Sequence, residues 1–372
     1  MKRVGYIWEK ITDIENIKWA HKNARKDKAF YKEVRMVDAN LDYYAAEIHK
    51  MLINKEYRVS DYRVQIINDK GKERKLMKLQ YYPDRIIQWA VMLQLEPIFL
   101  RMFCKHTCAS IPNRGIKRAR NLVLSYLKDK EGTKYCFKMD VRKFYDNINH
   151  DILKQKLRRI LKDNDLLWLL DKIIDSYPGN VGVPIGSYLS QYFANFYLTA
   201  FDHYLKEDLR VKYCVRYMDD VVIFAESKEK LHYFKDRIIE YLHNEALELK
   251  RNYQIFAVDV RGVDFVGFRF FHNYALLRKK TKKRMKLLKS NILHKYNQGV
   301  PITLSEFCAV NSYAGWLSMC NSYGLWNKYI DPVKNAIFKY YWNMIYNSDK
   351  KGKGAALRKY KHNFNKKKGV AA

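Results

Sequence analysis

The sequence predicts an α+β fold, with helices packed around an antiparallel sheet. Three observations carry this. First, Tyr213 to Phe224 places apolar, β-branched runs on both sides of Asp219 and Asp220, the pattern of a β-hairpin with two acids at its tight turn. Second, Tyr135 to Val141 is an apolar run of strand length that closes on another acid, Asp140. Third, apolar residues recur at helical intervals in several long stretches: Ile14, Ile17 and Ala20; Leu41, Tyr44, Ile48 and Leu52; Leu231, Phe234, Ile238 and Leu242; Met285, Leu288 and Ile292. A chain of 372 residues can bury a large core and form two or three subdomains.

Charge narrows the partners. The chain carries 71 Lys and Arg against 39 Asp and Glu, a net charge of +32. Such an excess repels itself unless a polyanion neutralises it. Thirty Tyr and 18 Phe are interleaved with these cations. Flat aromatic faces beside cations are the materials of single-stranded nucleic-acid binding. The six Cys are scattered and Met1 to Lys10 is charged and aromatic, which suggests a reducing, intracellular compartment. No apolar run approaches the roughly 20 residues that a membrane span needs, so no membrane is expected as a partner.

Along the chain, residues 1 to 60 read as basic helices. Tyr62 to Ile67, the turn Asn68-Asp69-Lys70-Gly71-Lys72, and Arg74 to Met77 read as a cation-rich hairpin. Tyr81-Tyr82-Pro83-Asp84 opens a helix, with Pro83 in its first turn and Asp84 at the positive end, that continues to Leu95-Glu96-Pro97-Ile98-Phe99. Ser110 to Ile116 is a polar, Gly-containing loop. After Asp140, Phe144-Tyr145-Asp146-Asn147 turns the chain into a helix from about Asp151. Tyr177 to Ser187 is a Gly/Pro loop ahead of a helix bearing Leu189, Tyr192, Phe193, Phe196 and Tyr197. Ser227 stands where a helix cap belongs. Gly262 to Phe270 forms strands about Gly267. From Thr281 the pattern is helical and basic, and residues 347 to 372 are Lys-rich without a core, which predicts a mobile tail.

Adjacent carboxylates at a turn repel each other, and a divalent cation reverses that cost. Tyr217-Met218-Asp219-Asp220 between hydrophobic strands, with Lys138-Met139-Asp140-Val141-Arg142-Lys143-Phe144-Tyr145 upstream, resembles the reverse transcriptases. The likeness covers roughly residues 60 to 330. It implies a right-hand polymerase fold: fingers and palm over 1–275, a helical thumb over 276–346 and a basic tail over 347–372. It implies RNA-directed DNA synthesis. Asp140, Asp219 and Asp220 would be catalytic and would hold, with Val141, two Mg²⁺, for which Mn²⁺ can substitute. Tyr217 and Met218 would support that turn. Lys72 and Arg74 would clamp the triphosphate of a dNTP, although a solvated hairpin tip has the same composition. Tyr145 would lie under the sugar and exclude a 2′-hydroxyl. Lys250 would protonate pyrophosphate, or else be a surface charge. Phe265, Val266 and Gly267 would grip the primer end, although core strands look similar.

Within that family the loop Ile185-Gly186-Ser187-Tyr188-Leu189-Ser190-Gln191 departs from the usual Gln-Gly-x-x-x-Ser-Pro. Its Ile-Gly-x-x-x-Ser-Gln form resembles the reverse transcriptases of diversity-generating retroelements, and places Ile185, Gly186 and Gln191 at the nucleotide. That subfamily implies copying of a template-repeat RNA with errors at adenines, a DNA or RNA primer, an accessory variability protein, and the cytoplasm of a bacterial or phage-infected cell. The alternatives are a group II intron or retron enzyme and, in another class, an inactive RNA-binding scaffold.

Overall fold

The computed structural model describes residues 3–69 and 72–346. The Lys-rich segment 347–372 and the hairpin-tip residues Lys70 and Gly71 lie outside them. The chain divides into two compact units. The first comprises Met1–Ala119, Phe137–Ile223 and Lys228–Ile255; the second comprises Arg120–Cys136, Phe224–Ser227 and the chain from Phe256 onward.

In the first unit, α1 (Trp8–Thr12), α2 (Ile14–Ala24), α3 (Lys32–Ala39) and α4 (Leu41–Ile53) form the N-terminal helical layer. Next comes the antiparallel hairpin β1 (Arg63–Asp69) and β2 (Lys72–Lys78), in register from Arg63 opposite Lys78 to Asp69 opposite Lys72. Helix α5 (Ile86–Met102) is apolar around most of its circumference, with Ile87, Val91, Leu95 and Phe99 fully buried, so it has neighbours on several sides. It packs against α1, α2 and α9 (Tyr188–Tyr197). The expected first turn at Pro83 is a π turn over Tyr81–Arg85, with Tyr82 outside helical geometry, and regular helix begins at Ile86. Helices α7 (His150–Ile160) and α8 (Asn164–Asp175) are capped by Asn149 and Asp163, whose side chains accept the Ile152 and Leu166 amides. Helix α10 (Thr199–Glu207) follows α9, and α11 (Lys228–Asn244) buries Leu231, Phe234, Ile238 and Leu242, the stripe read from the sequence.

The four-stranded sheet has strand order β4 (Tyr213–Tyr217), β5 (Asp220–Ala225), β3 (Tyr135–Asp140), β6 (Gln254–Ala257). Strand β5 is buried at every residue but the first, so both faces of the sheet are covered there. The acids do not share the hairpin turn evenly. Met218 and Asp219 form it, and Asp220 is the first residue of β5.

The second unit holds a small antiparallel sheet, β7 (Val263–Phe265), β8 (Phe268–Phe270) and β9 (Ala275–Leu277), with Phe265 opposite Phe268. Its helices include α12 (Val258–Arg261), α13 (Lys279–Asn297), α14 (Leu304–Leu317), α15 (Tyr323–Tyr329) and α16 (Lys334–Tyr346), and α6 (Ile116–Tyr126) belongs partly to each unit. Thr303 and Glu306 close a reciprocal capping box at the start of α14. The short strand β9 was not evident in the sequence: three residues offer too little alternation to recognise. Among the described residues no helix is long and apolar enough to cross a membrane.

Candidate active site

Strand β3 ends at Asp140 and the β4–β5 turn presents Asp219, so two acids far apart in sequence meet on neighbouring strands. The Val141 amide donates to the Asp219 carbonyl at 3.3 Å, which ties the two segments together. Burial, and then the charge of Asp140, push the Asp219 carboxyl up to about 6. Met218, before it, is held at φ 58°, a left-handed conformation that disfavours a side chain.

Lys250 reaches the same place. Arg142 donates its amide to the Glu248 carbonyl and Lys250 donates its own to the Asp140 carbonyl, both across a strand-like pairing. The Lys250 ammonium then lies 3.3 Å from Asp140 Oδ2. This puts Lys250 at the acids themselves. Asp220 points elsewhere: its carboxylate meets the Lys138 ammonium at 3.9 Å, and it does not line the cleft that Asp140 and Asp219 share.

That cleft is open, with a volume of about 1570 Å³, and lies within the first unit. Tyr145, Ile185 and Val141 line it. Burial raises the Tyr145 hydroxyl above its ordinary value, so it stays protonated. Lys75, Lys143 and Asp146 also line the cleft. Beyond strand alternation, nothing local in the sequence marks the two lysines, and Asp146 reads there only as a turn residue. The available signal for Lys75 was strand alternation with Glu73 and Met77, which line the cleft from β2. The side chains of Lys72 and Arg74 lie outside the described residues.

The loop before α9 divides between spaces. Ile185 borders both the cleft and a neighbouring cavity of about 520 Å³, where Gly186 and Ser187 join it. Gly186 stands at φ 113°, and an added Cβ would meet nothing within 4 Å, so conformation rather than crowding demands glycine there. Gln191 does not reach the acids' cleft. It lies with Gly186, Gln88, Trp89 and Tyr188 in a separate cavity of about 220 Å³. The Ser187 hydroxyl donates to Gln88 Oε1 at 2.6 Å and fixes the loop to α5.

In the second unit, Val266 at φ 40° and Gly267 at φ 91° turn β7 into β8. The Phe265 side chain is fully buried, so only the turn itself is presented outward. The Gly267 carbonyl accepts the Arg278 amide at 3.1 Å.

The donor set suits Mg²⁺. Among the described residues no three His, Cys, Asp or Glu side chains cluster tightly enough to hold a metal alone. Mg²⁺ at phosphoryl-transfer sites takes only one or two carboxylates and completes its shell with water and substrate phosphates. Asp140 and Asp219 could supply that pair: the Asp219 carboxyl is raised first by burial and then by the Asp140 charge, and a bound cation would offset both.

An acid ending a central strand, set against a second acid at the neighbouring hairpin turn over an open cleft, is the arrangement expected of the palm in a right-hand polymerase fold. The chain belongs to the reverse transcriptase family: the profile described as Reverse transcriptase (RNA-dependent DNA polymerase) matches residues 63–270. Protein YkfC of Escherichia coli (strain K12) is 30% identical over 155 residues, 39% of this chain and 40% of that protein. The COX1/OXI3 intron 1 protein of Saccharomyces cerevisiae is 23% identical over 137 residues, 33% of this chain and 16% of its own. The chain thus spans two fifths or less of these relatives. Apo telomerase from Candida tropicalis aligns over 83% of this chain and 59% of its own, at 13% identity and a TM-score of 0.49.

Proposed function

We propose that this protein is an RNA-directed DNA polymerase. The observation that carries the reading is the meeting of Asp140 and Asp219 in one open cleft, with the Asp219 carboxyl raised by burial and by its neighbour. In the reaction, the primer 3′-hydroxyl loses its proton to solvent as its oxygen forms a bond to the α-phosphorus of a dNTP, the bond from that phosphorus to the bridging oxygen breaks, and pyrophosphate leaves. Asp140 and Asp219 would hold Mg²⁺, which when bound lowers the pKa of the attacking hydroxyl and neutralises charge on the leaving phosphates. Lys75 and Lys143 offer cations to the triphosphate, and Lys250 places its ammonium beside Asp140. Tyr145 fills the space beside the sugar. The turn at Val266 and Gly267 offers backbone to the primer. The helices from residue 276 act as the thumb. The +32 charge suits a template RNA and a primer.

More finely, we infer an enzyme of a diversity-generating retroelement, which copies a template-repeat RNA with errors at adenines alongside an accessory variability protein. The support is the loop Ile185-Gly186-Ser187-Tyr188-Leu189-Ser190-Gln191, which sets the apolar Ile185 side chain at the cleft. The likeness to the yeast intron protein favours a second reading, an intron-type reverse transcriptase. Primer extension with Mg²⁺ on an RNA template tests the activity. Asp219→Asn should abolish extension while folding and RNA binding persist, and extension at the wild-type rate by that variant would refute the assignment. Sequencing the RNA that copurifies separates the two subfamilies: a repeat that recurs with altered adenines in a target gene supports the first, and intron RNA the second.

A further inference from the structure

The strand that delivers the acidic turn contains a charge where apolar side chains belong. Arg216 of β4 is fully buried. A buried guanidinium must be paired, and its pairing here is split. Nε donates to Asp202 Oδ1 at 2.7 Å and Nη2 to Asp202 Oδ2 at 2.6 Å, a bidentate fork onto a carboxylate of α10 that is itself fully buried. Nη1 leaves the fork and donates to Asn195 Oδ1 at 3.2 Å and to the Met218 carbonyl at 3.0 Å.

Met218 is the residue in the left-handed conformation, immediately before Asp219. A methionine does not hold that geometry by itself. The guanidinium, in contrast, is fixed from several directions. Thr107 Oγ1 donates to Asp202 Oδ2 at 2.6 Å, and His106 Nε2 lies 3.4 Å from Asp202 Oδ1. The Arg216 amide and carbonyl bond the His106 carbonyl and the Cys108 amide. Burial alone would raise the Asp202 carboxyl. The Arg216 charge and fork, with His106, override this and hold it well below the ordinary range, so the pair stays ionised.

We propose that Arg216 is a positioning residue for the catalytic hairpin: its bond to the Met218 carbonyl sets the turn that aims Asp219 at Asp140, and Asp202 holds Arg216 in place. The inference rests on the polymerase reading of the site. Arginine is required because its donors sit on three separate nitrogens, so Nε and Nη2 can grip Asp202 while Nη1 reaches the turn; a lysine's donors share one nitrogen and cannot span both. Released, Met218 relaxes toward ordinary backbone geometry and carries Asp219 with it.

The test uses the full chain. Replacing a buried ion pair with apolar groups of similar volume is often neutral for folding. The double variant Arg216→Met with Asp202→Leu therefore removes the bond to Met218 while keeping the core filled. Asp202→Asn, which keeps the volume and weakens the fork, serves if the double variant does not fold. Mn²⁺ binding followed by electron paramagnetic resonance, template–primer binding by fluorescence anisotropy, and steady-state extension are measured on each folded variant. Mn²⁺ affinity should fall by about 10–100-fold, the range for losing a group that orients a metal ligand. The kcat should fall by about 10²-fold, as a misplacement of order 1 Å produces, with KM for dNTP and template–primer affinity nearly unchanged. A folded variant that binds Mn²⁺ as tightly as wild type overturns the proposal, as does one with undiminished kcat. A wild type that extends no primer would instead refute the polymerase reading, and the Mn²⁺ measurement would still decide whether Arg216 positions the turn.

Discussion

Gly267→Ala isolates a clash inside the second unit. The glycine stands at φ 91°, and a Cβ built on it would lie 2.7 Å from Trp316 Cη2 and nearer still to Cζ3. The indole cannot simply withdraw, since its ring centroid stands 5.2 Å from that of Phe268, which is fully buried. Left-handed backbone with a side chain costs about 1–2 kcal/mol. Forcing atoms into a filled contact adds about 1–3 kcal/mol, so the variant should lose roughly 2–5 kcal/mol. Gly299→Ala is the control: its φ is 70° but an added Cβ meets nothing within 4 Å, so only the backbone part, about 1–2 kcal/mol, applies. Urea unfolding of both variants, and of Gly267→Ala in a Trp316→Ala background, measures each contribution as a double-mutant cycle. Removing the ring should recover about 1–3 kcal/mol of the Gly267→Ala loss. Strict additivity in that cycle, or equal losses at Gly267 and Gly299, would refute the reasoning.

Three further outcomes follow from the first unit. Tyr145→Ala should admit ribonucleotides, because the ring that faces the cleft no longer fills the space of a 2′-hydroxyl; rejection of rNTPs as strict as wild type in a competition assay would remove Tyr145 from that role. Ile185→Gln should lower misincorporation opposite template adenine while extension continues, since a hydrogen-bonding side chain discriminates by far more than the roughly 10–200-fold available to apolar contact; identical error spectra in sequenced cDNA would count against it. Acid stability should depend on Asp202. Its carboxyl is held below the ordinary range, so its contribution is complete above the unfolded value of about 4 and is lost as pH falls from there toward the folded value. Urea unfolding between pH 6 and about 3 should therefore be less steep in Asp202→Asn, and an equal slope would show that the pair does not set acid stability.

Much of the architecture was legible because its signals are local. The alternation in Tyr213–Tyr217 and Asp220–Ala225, with two acids between, located the hairpin without any tertiary information. Asp140 was legible as an acid ending a strand, and the stripe of α11 was legible from its helical spacing. The basic β1–β2 hairpin followed from its turn chemistry. The single charge inside Cys214-Val215-Arg216-Tyr217 was also visible, and an arginine in an apolar strand signals a buried partner. Nothing in the sequence names that partner, because Asp202 lies on a separate element, helix α10, and the pairing depends on how α10 packs against β4. The same limit applies at the cleft. Only the folded chain decides that Asp219 faces Asp140 while Asp220 faces Lys138, that Lys250 arrives at the acids, that Lys75 joins Tyr145 and Ile185, and that Gln191 falls into another cavity. Local spacing determines which face of an element a residue occupies. Which element lies opposite that face is set by long-range burial, and the charges then pair with whatever the packing brings within reach.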